Sequence, residues 1–94
     1  MIEIIHTEKE GKGLFKAMES TREAGKMSYY IRQGKGEIVI DHTEVDNAFT
    51  GQGVGRKLVG EAVVFARKRG MKIDPQCSFA RHILEKEQVF EDVL

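Results

Sequence analysis

The residues best suited to do chemistry form one run, Thr50-Gly51-Gln52-Gly53-Val54-Gly55-Arg56-Lys57, with three alternate glycines. From Val54 onward the apolar residues Val54, Leu58, Val59, Ala62, Phe65 and Ala66 recur at a spacing near 3.6, so the glycines open a helix. Inside a helix each glycine costs about 1 kcal/mol relative to alanine. Three together imply that side chains are excluded because another body approaches the backbone. The N–H groups at a helix start lack intrahelical acceptors and carry partial positive charge, which makes this turn a cradle for an anion. Arg56 and Lys57 oppose the helix dipole unless an anion is bound there, and a diphosphate removes the conflict. The alternative is a glycine-rich connection with solvated charges.

The spacing narrows the choice of anion. A triphosphate-hydrolysing loop needs Gly, four residues, then Gly-Lys and Ser or Thr, an order this run lacks. A dinucleotide fingerprint fares better through Gly51, Gly53 and the later Asp74, yet Arg56 stands in the third glycine's place.

Three further side chains are candidates. Cys77 follows a strand and precedes a helix start, where amide dipoles favour a thiolate; the alternative is a small buried packing residue. His42 and Glu44, two residues apart on a strand, share a face and could serve as base or proton relay, against the alternative of a satisfied histidine and a solvated strand-end charge. His6 and His82 have weaker claims, and Arg81 reads as a surface arginine.

These residues need a scaffold. Ile2 to Ile5 and Leu14 to Met18 are two apolar bursts joined by a polar stretch, Thr7 to Gly13, suited to a hairpin connection. Met27, Tyr29 and Ile31 alternate with Ser28, Tyr30 and Arg32, the period of a strand with two unlike faces; one tyrosine packs inward and the other lies on the opposite face. Gln33 to Gly36 turns the chain into Glu37 to Val45, with Ile38 and Ile40 on one side and Val39 and Val45 on the other, the candidate for the sheet's centre. The helix from Val54 stops at Arg67-Lys68-Arg69-Gly70, basic residues and a glycine cap. Met71 to Asp74 then closes a strand-helix-strand crossover, and Ser78 to Glu87 is a second helix with Phe79 and Ile83 inward. Val89 to Leu94 is a tail without an assigned element. The expected fold is α/β: a mainly antiparallel sheet of about five strands, a crossover helix and a second, C-terminal helix.

Composition bounds the partners. The 94 residues are enough for a single domain, 1–94, with 40% hydrophobic and 32% charged residues, ordinary globular values. Fifteen Lys plus Arg balance fifteen Asp plus Glu, which removes the positive field that nucleic acid or an anionic membrane would need. One cysteine makes no internal disulfide, no metal framework is present, and Met1 to His6 is too short for a signal core, so the expectation is a cytoplasmic, untargeted protein.

Taken together, the segments resemble the GNAT superfamily of N-acetyltransferases, through its Arg/Gln-x-x-Gly-x-Gly/Ala motif for acetyl-CoA. Thr50-Gly51-Gln52-Gly53-Val54-Gly55 matches that motif except at its first position, where Thr50 replaces Arg or Gln. His42-Thr43-Glu44-Val45 before the turn and Pro75-Gln76-Cys77-Ser78-Phe79 after it resemble a very short subfamily with a Pro-x-Cys segment, over residues 27–87. The resemblance implies that the strands at Glu37 to Val45 and Met71 to Asp74 splay apart and that pantetheine inserts between them, met by the Val45 backbone. It implies that the amides from Thr50 to Lys57 hold the pyrophosphate of acetyl-CoA or CoA. It also implies transfer of an acetyl group to a small-molecule amine or a protein lysine, by direct attack with His42 or Glu44 as base or through Cys77. The short form lacks the elements that build an acceptor pocket in larger relatives. A non-catalytic CoA-binding or interaction module is the competing reading, and a monomer or weak homodimer is the expected state.

Overall fold

The computed structural model describes Met1–Leu94. Its elements are β1 (Ile2–Lys9), β2 (Lys12–Glu19), β3 (Arg22–Arg32), β4 (Glu37–Val45), α1 (Val54–Arg69), β5 (Lys72–Pro75) and α2 (Ser78–Lys86), with 3-10 turns at Asn47–Phe49 and Gln88–Val93. The strands form one sheet in chain order; β1 to β4 are antiparallel and β5 runs parallel to β4 across the α1 crossover. This is the architecture expected from the sequence.

Helix α1 buries Val54, Leu58, Val59, Ala62, Val63 and Ala66 and ends where its basic last turn meets Gly70, whose amide bonds the carbonyls of Ala66 and Arg67. That face packs on Phe15, Ala17, Met27, Tyr29, Ile38 and Ile40 of the sheet, in one cluster completed by Ala80 and Leu84 of α2 and by Phe90 and Val93. Tyr29 is 2% exposed and Tyr30 37%, the division expected of their alternation.

Several boundaries differ from expectation. The stretch Thr7 to Gly13 is mostly strand: only Glu10 and Gly11 make the turn, since Lys9 pairs with Lys12. The alternation fails there because β1 is an edge strand whose inner face beyond Ile5 is covered through the polar residues His6 and Glu8, which stay partly exposed, rather than through apolar ones. The sheet's centre is β3, with β4 between it and the short β5. The last residues form the 3-10 turn Gln88–Val93, held by Arg67, which bonds Asp92 at 2.9 and 3.0 Å and the Val89 carbonyl at 2.6 Å. In α2 the inward residues are Ala80 and Leu84, whereas Phe79 is 43% exposed and Ile83 half-buried.

One irregularity positions the site. Tyr29 pairs with Ile40 but Ser28 pairs with His42, so Asp41 is an extra residue in β4. A bulge reverses the alternation beyond it. Val45, expected opposite Ile40, therefore joins Ile38 and Ile40 against the main core, while the fully buried Val39 stays outside that cluster.

Candidate active site

The parallel ladder between β4 and β5 runs from Glu37 paired with Lys72 to Ile40 paired with Pro75. Its last carbonyl, Ile40, accepts both the Gln76 amide at 3.0 Å and the Cys77 amide at 3.1 Å. Proline then ends β5, and the chain leaves for α2 while β4 continues to Val45. At the closed end Arg32 clasps the strands, bonding Glu37 at 2.7 Å and Asp74 at 3.2 Å. Beyond Ile40 the strands part, and Asp41 to Val45 have β3 on one side and no strand on the other.

Antiparallel alternation fixes which backbone groups face that gap. The Asp46 amide bonds the Ala24 carbonyl at 2.8 Å, so Glu44 and His42 lie in the same phase, toward β3. Thr43 and Val45 then turn their N–H and C=O groups away from β3, into the gap.

The glycine turn lies at the mouth of this gap. Gly51 and Gly53 have φ of +85° and +73°, the left-handed region that a side chain disfavours, and open space surrounds the position a Cβ would take at either. Three amides of the run are used internally: Thr50 to Asn47, Gln52 to Phe49 and Lys57 to Gly53. Those of Gly51, Gly53, Val54, Gly55 and Arg56 meet no acceptor in the chain. Free amides at a helix start, open at Gly51 and Gly53 with Val54 and Gly55 buried behind them, form an anion cradle, and the residues present fit a diphosphate.

Gly55 is small for a different reason. A Cβ there would overlap the ring of Phe79, so the body that approaches its backbone is α2 of the same chain. Phe79 thereby becomes a wall of a cleft of about 390 Å³ lined also by Val45, Thr50, Gly51, Gly53 and Ile83. A larger groove, about 720 Å³, runs between β1 and the outer side of α1 past Ile2, Ile4, Gln52, Lys57 and Val64. It does not reach the open half of β4, whereas the smaller cleft touches it at Val45.

The side chains of the run divide. Val54 is 2% exposed and packs in the core, so its side chain takes no part in the turn's outer surface. Arg56 forms an ion pair with Glu87 and lies 6.0 Å over the Phe90 ring. Lys57 has no ion pair, and Thr50 and Gln52 are exposed.

Cys77 is the N-cap residue of α2, half-buried beside Thr43. Burial raises its thiol pKa, but the donor groups nearby, the Ala80 amide, the Thr43 hydroxyl and the Phe79 and Thr43 amides, favour the thiolate and outweigh it, holding the thiol below its ordinary range. His42 and Glu44 do share a face, with His42 Nε2 3.5 Å from Glu44 Oε2, on the side opposite Thr43. Glu44 also meets Lys26 at 3.3 Å; the Lys26 ammonium first, and His42 second, hold its carboxyl below the usual carboxylate range.

The weaker candidates have structural partners. Arg81 donates to the Pro75 carbonyl at 3.1 Å, and Asp74 is taken by Arg32 and by Gln76 at 2.9 Å, which leaves no free carboxylate for a dinucleotide ribose. His6 stacks on Phe15 at 4.1 Å with its Nε2 2.6 Å from the Tyr29 hydroxyl, away from the turn. Thr43 and Phe79 are the residues that sequence reasoning missed. Thr43 gives no signal without knowledge of the bulge, and Phe79 reads as an ordinary apolar helix residue.

The fold and the sequence have counterparts among known proteins. A family model for GCN5-related N-acetyl-transferases matches residues 14–93. The solution structure of a GCN5-like candidate N-acetyltransferase from Staphylococcus aureus is 38% identical, with a TM-score of 0.71 over 95% of this chain and 85% of that one. A nourseothricin acetyltransferase is 29% identical, with a TM-score of 0.61 over 68% of this chain and 39% of its own. An aminoglycoside acetyltransferase from an uncultured soil metagenomic sample, in complex with sisomicin, shares the fold: 20% identity, TM-score 0.73, 85% of this chain and 61% of that one. No curated protein matches the chain. No helix is long and apolar enough to cross a membrane. The family match over most of the length, together with the S. aureus likeness, shows that the chain belongs to the GCN5-related N-acetyltransferase family.

Proposed function

We propose that residues 1–94 act as one acetyl-CoA-binding unit that transfers an acetyl group to an amine. The observation that carries this reading is the run of unsatisfied amides at Gly51, Gly53, Val54, Gly55 and Arg56, opening through the Phe79-walled cleft onto the unpaired half of β4. The diphosphate sits on those amides, with Thr50, Gln52 and Lys57 at its rim, and the pantetheine arm follows the backbone of Val45 and Thr43 as an added strand would. The acetyl thioester then lies toward Cys77.

Two routes use the residues present. In the first, the Cys77 thiolate attacks the acetyl carbonyl carbon; a carbon–Sγ bond forms, the bond to the CoA sulfur breaks, and CoA leaves with that electron pair as a thiolate. An amine then attacks the new thioester, Cys77 leaves as thiolate, and the amine's proton passes to a base. In the second, the amine nitrogen attacks the acetyl carbonyl carbon of bound acetyl-CoA directly; a carbon–nitrogen bond forms, the bond to the CoA sulfur breaks, CoA leaves as a thiolate, and the amine's proton passes to a base. His42 is the better base in either route, because Lys26 and His42 keep Glu44 ionised and weak as a proton acceptor; Glu44 holds the imidazole.

The acceptor is a small-molecule amine or a protein lysine. Glu23, Glu44 and Asp46 line a depression of about 310 Å³ on the other side of Val45, a setting that attracts a protonated amine. Two of the acetyltransferases it resembles are a nourseothricin acetyltransferase and an aminoglycoside acetyltransferase in complex with sisomicin. A free thiol at the site suits a reducing cytoplasm.

Thr50, in place of the motif's Arg or Gln, favours a second reading: a CoA-binding module that no longer catalyses transfer. Calorimetric titration with CoA, dephospho-CoA and adenosine diphosphate, followed by a panel of amines with detection of released CoA thiol, separates the two. Preference for CoA with thiol release supports the transferase; preference without release supports the module; equal affinity for all three ligands defeats both.

A further inference from the structure

The Thr43 hydroxyl is buried and has no hydrogen-bond partner, the one side-chain polar atom of the protein in that position. Such a group costs stability and calls for a reason. It lies on the part of β4 that the Asp41 bulge turns toward the core, and the polar group beside it is the Cys77 thiol at the N-cap of α2. A neutral thiol is a poor acceptor, which explains why the hydroxyl is unsatisfied. A thiolate is a strong one. Two amides of α2, Phe79 and Ala80, also favour an anion on that sulfur.

We propose that Thr43 is a positioning residue for Cys77: its hydroxyl is kept unpaired in the resting protein so that it donates to the sulfur once that sulfur is an anion, holding it toward the gap between β4 and β5. The assignment rests on the transferase reading for its purpose, but its chemistry is a property of the protein alone. The charged groups of the surrounding elements are engaged elsewhere: Arg81 with Pro75, Asp74 with Arg32 and Gln76, Glu44 with Lys26 and His42. The burial of Cys77 opposes ionisation and the donors around it favour it, with the donors prevailing.

The proposal makes stability and reactivity respond in opposite senses. Thr43→Val removes an unsatisfied hydroxyl at nearly constant shape, so the melting temperature should hold or rise. A residue needed only for packing would also tolerate that change, but would leave the reactivity of Cys77 untouched. The rate of Cys77 alkylation by iodoacetamide, measured against pH, should shift to higher pH in the variant, with a rate at pH 7 about tenfold or more lower, the scale of one hydrogen bond to a charged group. Thr43→Ser should restore the wild-type profile, and Thr43→Ala should match Thr43→Val in profile even if it is less stable. An unchanged profile in folded Thr43→Val, or a Thr43→Ser profile like that of Thr43→Val, overturns the assignment. Because alkylation involves no acetyl-CoA, intact masses after incubation with acetyl-CoA report on the transferase reading separately. A shifted profile without an acetyl adduct keeps Thr43's role and removes the covalent route.

Discussion

The Ile40 carbonyl accepts the Cys77 amide at 3.1 Å, and this contact marks where β4 and β5 part company. Everything on one side of it is sheet; everything on the other is a gap bordered by Thr43, Val45 and the N-terminus of α2. Cys77 is thus anchored by its backbone at the apex of the gap.

That anchoring makes the covalent route directly testable. After incubation with acetyl-CoA, the wild-type protein is expected to gain the mass of one acetyl group, and Cys77→Ala none. Retention of the adduct in Cys77→Ala would assign it to a lysine or the N-terminus instead.

The pairing of His42 with Glu44 sets a second expectation. His42→Gln should lower kcat about 100-fold, at the modest end of what a positioned acid or base supplies. Glu44→Gln should do less, since its carboxylate orients the ring and is itself a weak acceptor. Steady-state kinetics that rank the two the other way would make Glu44 the base.

Gly55 and Phe79 meet face to face, so Gly55→Ala must move the ring. Overpacking of this kind costs roughly 1–3 kcal/mol. Urea unfolding should show that loss, and CoA affinity should fall with it because Phe79 walls the cleft. Unaltered stability would mean that α2 is loosely held and that the cleft is not preformed.

The His6–Tyr29 contact, 2.6 Å, carries a pH dependence remote from the site. Burial chiefly, with Arg69, lowers the His6 pKa below 6.5, against the opposing pull of Glu8 and Glu61. The neutral ring accepts the Tyr29 proton, and burial pushes the Tyr29 hydroxyl up to about 12, so it remains a donor. A histidine with a depressed folded-state pKa contributes stability that is full above its unfolded value and is lost as pH falls through the folded one. Thermal melts from pH 7 down to pH 5 should therefore show a decline that His6→Phe flattens. Identical slopes in the two proteins would show that His6 does not carry it.

The order of elements, the secure helix and the glycine turn were legible because each rests on local signals: a 3.6 spacing, a basic last turn, glycine at helix ends. What was hidden is tertiary. Asp41 has no composition that marks a bulge, yet it decides which of Val39, Thr43 and Val45 face the core. The reason for Gly55 is Phe79, 24 residues later in the chain, and Arg56 is held by Glu87, 31 residues later. The polar second half of β1 reads as a loop because this edge strand covers the core there with His6, a polar residue, and not with an apolar one.

The proposed function depends first on free backbone amides at the glycine turn holding the cofactor's diphosphate. Amide chemical shifts recorded by NMR while CoA is titrated into the ¹⁵N-labelled protein test it most directly. The expected result is a group of large perturbations at Gly51, Gly53, Val54, Gly55 and Arg56, continuing to Val45 and Thr43. Perturbations confined to Ile2, Ile4 and Val64 in the groove beside β1, or none at saturating CoA, would contradict it.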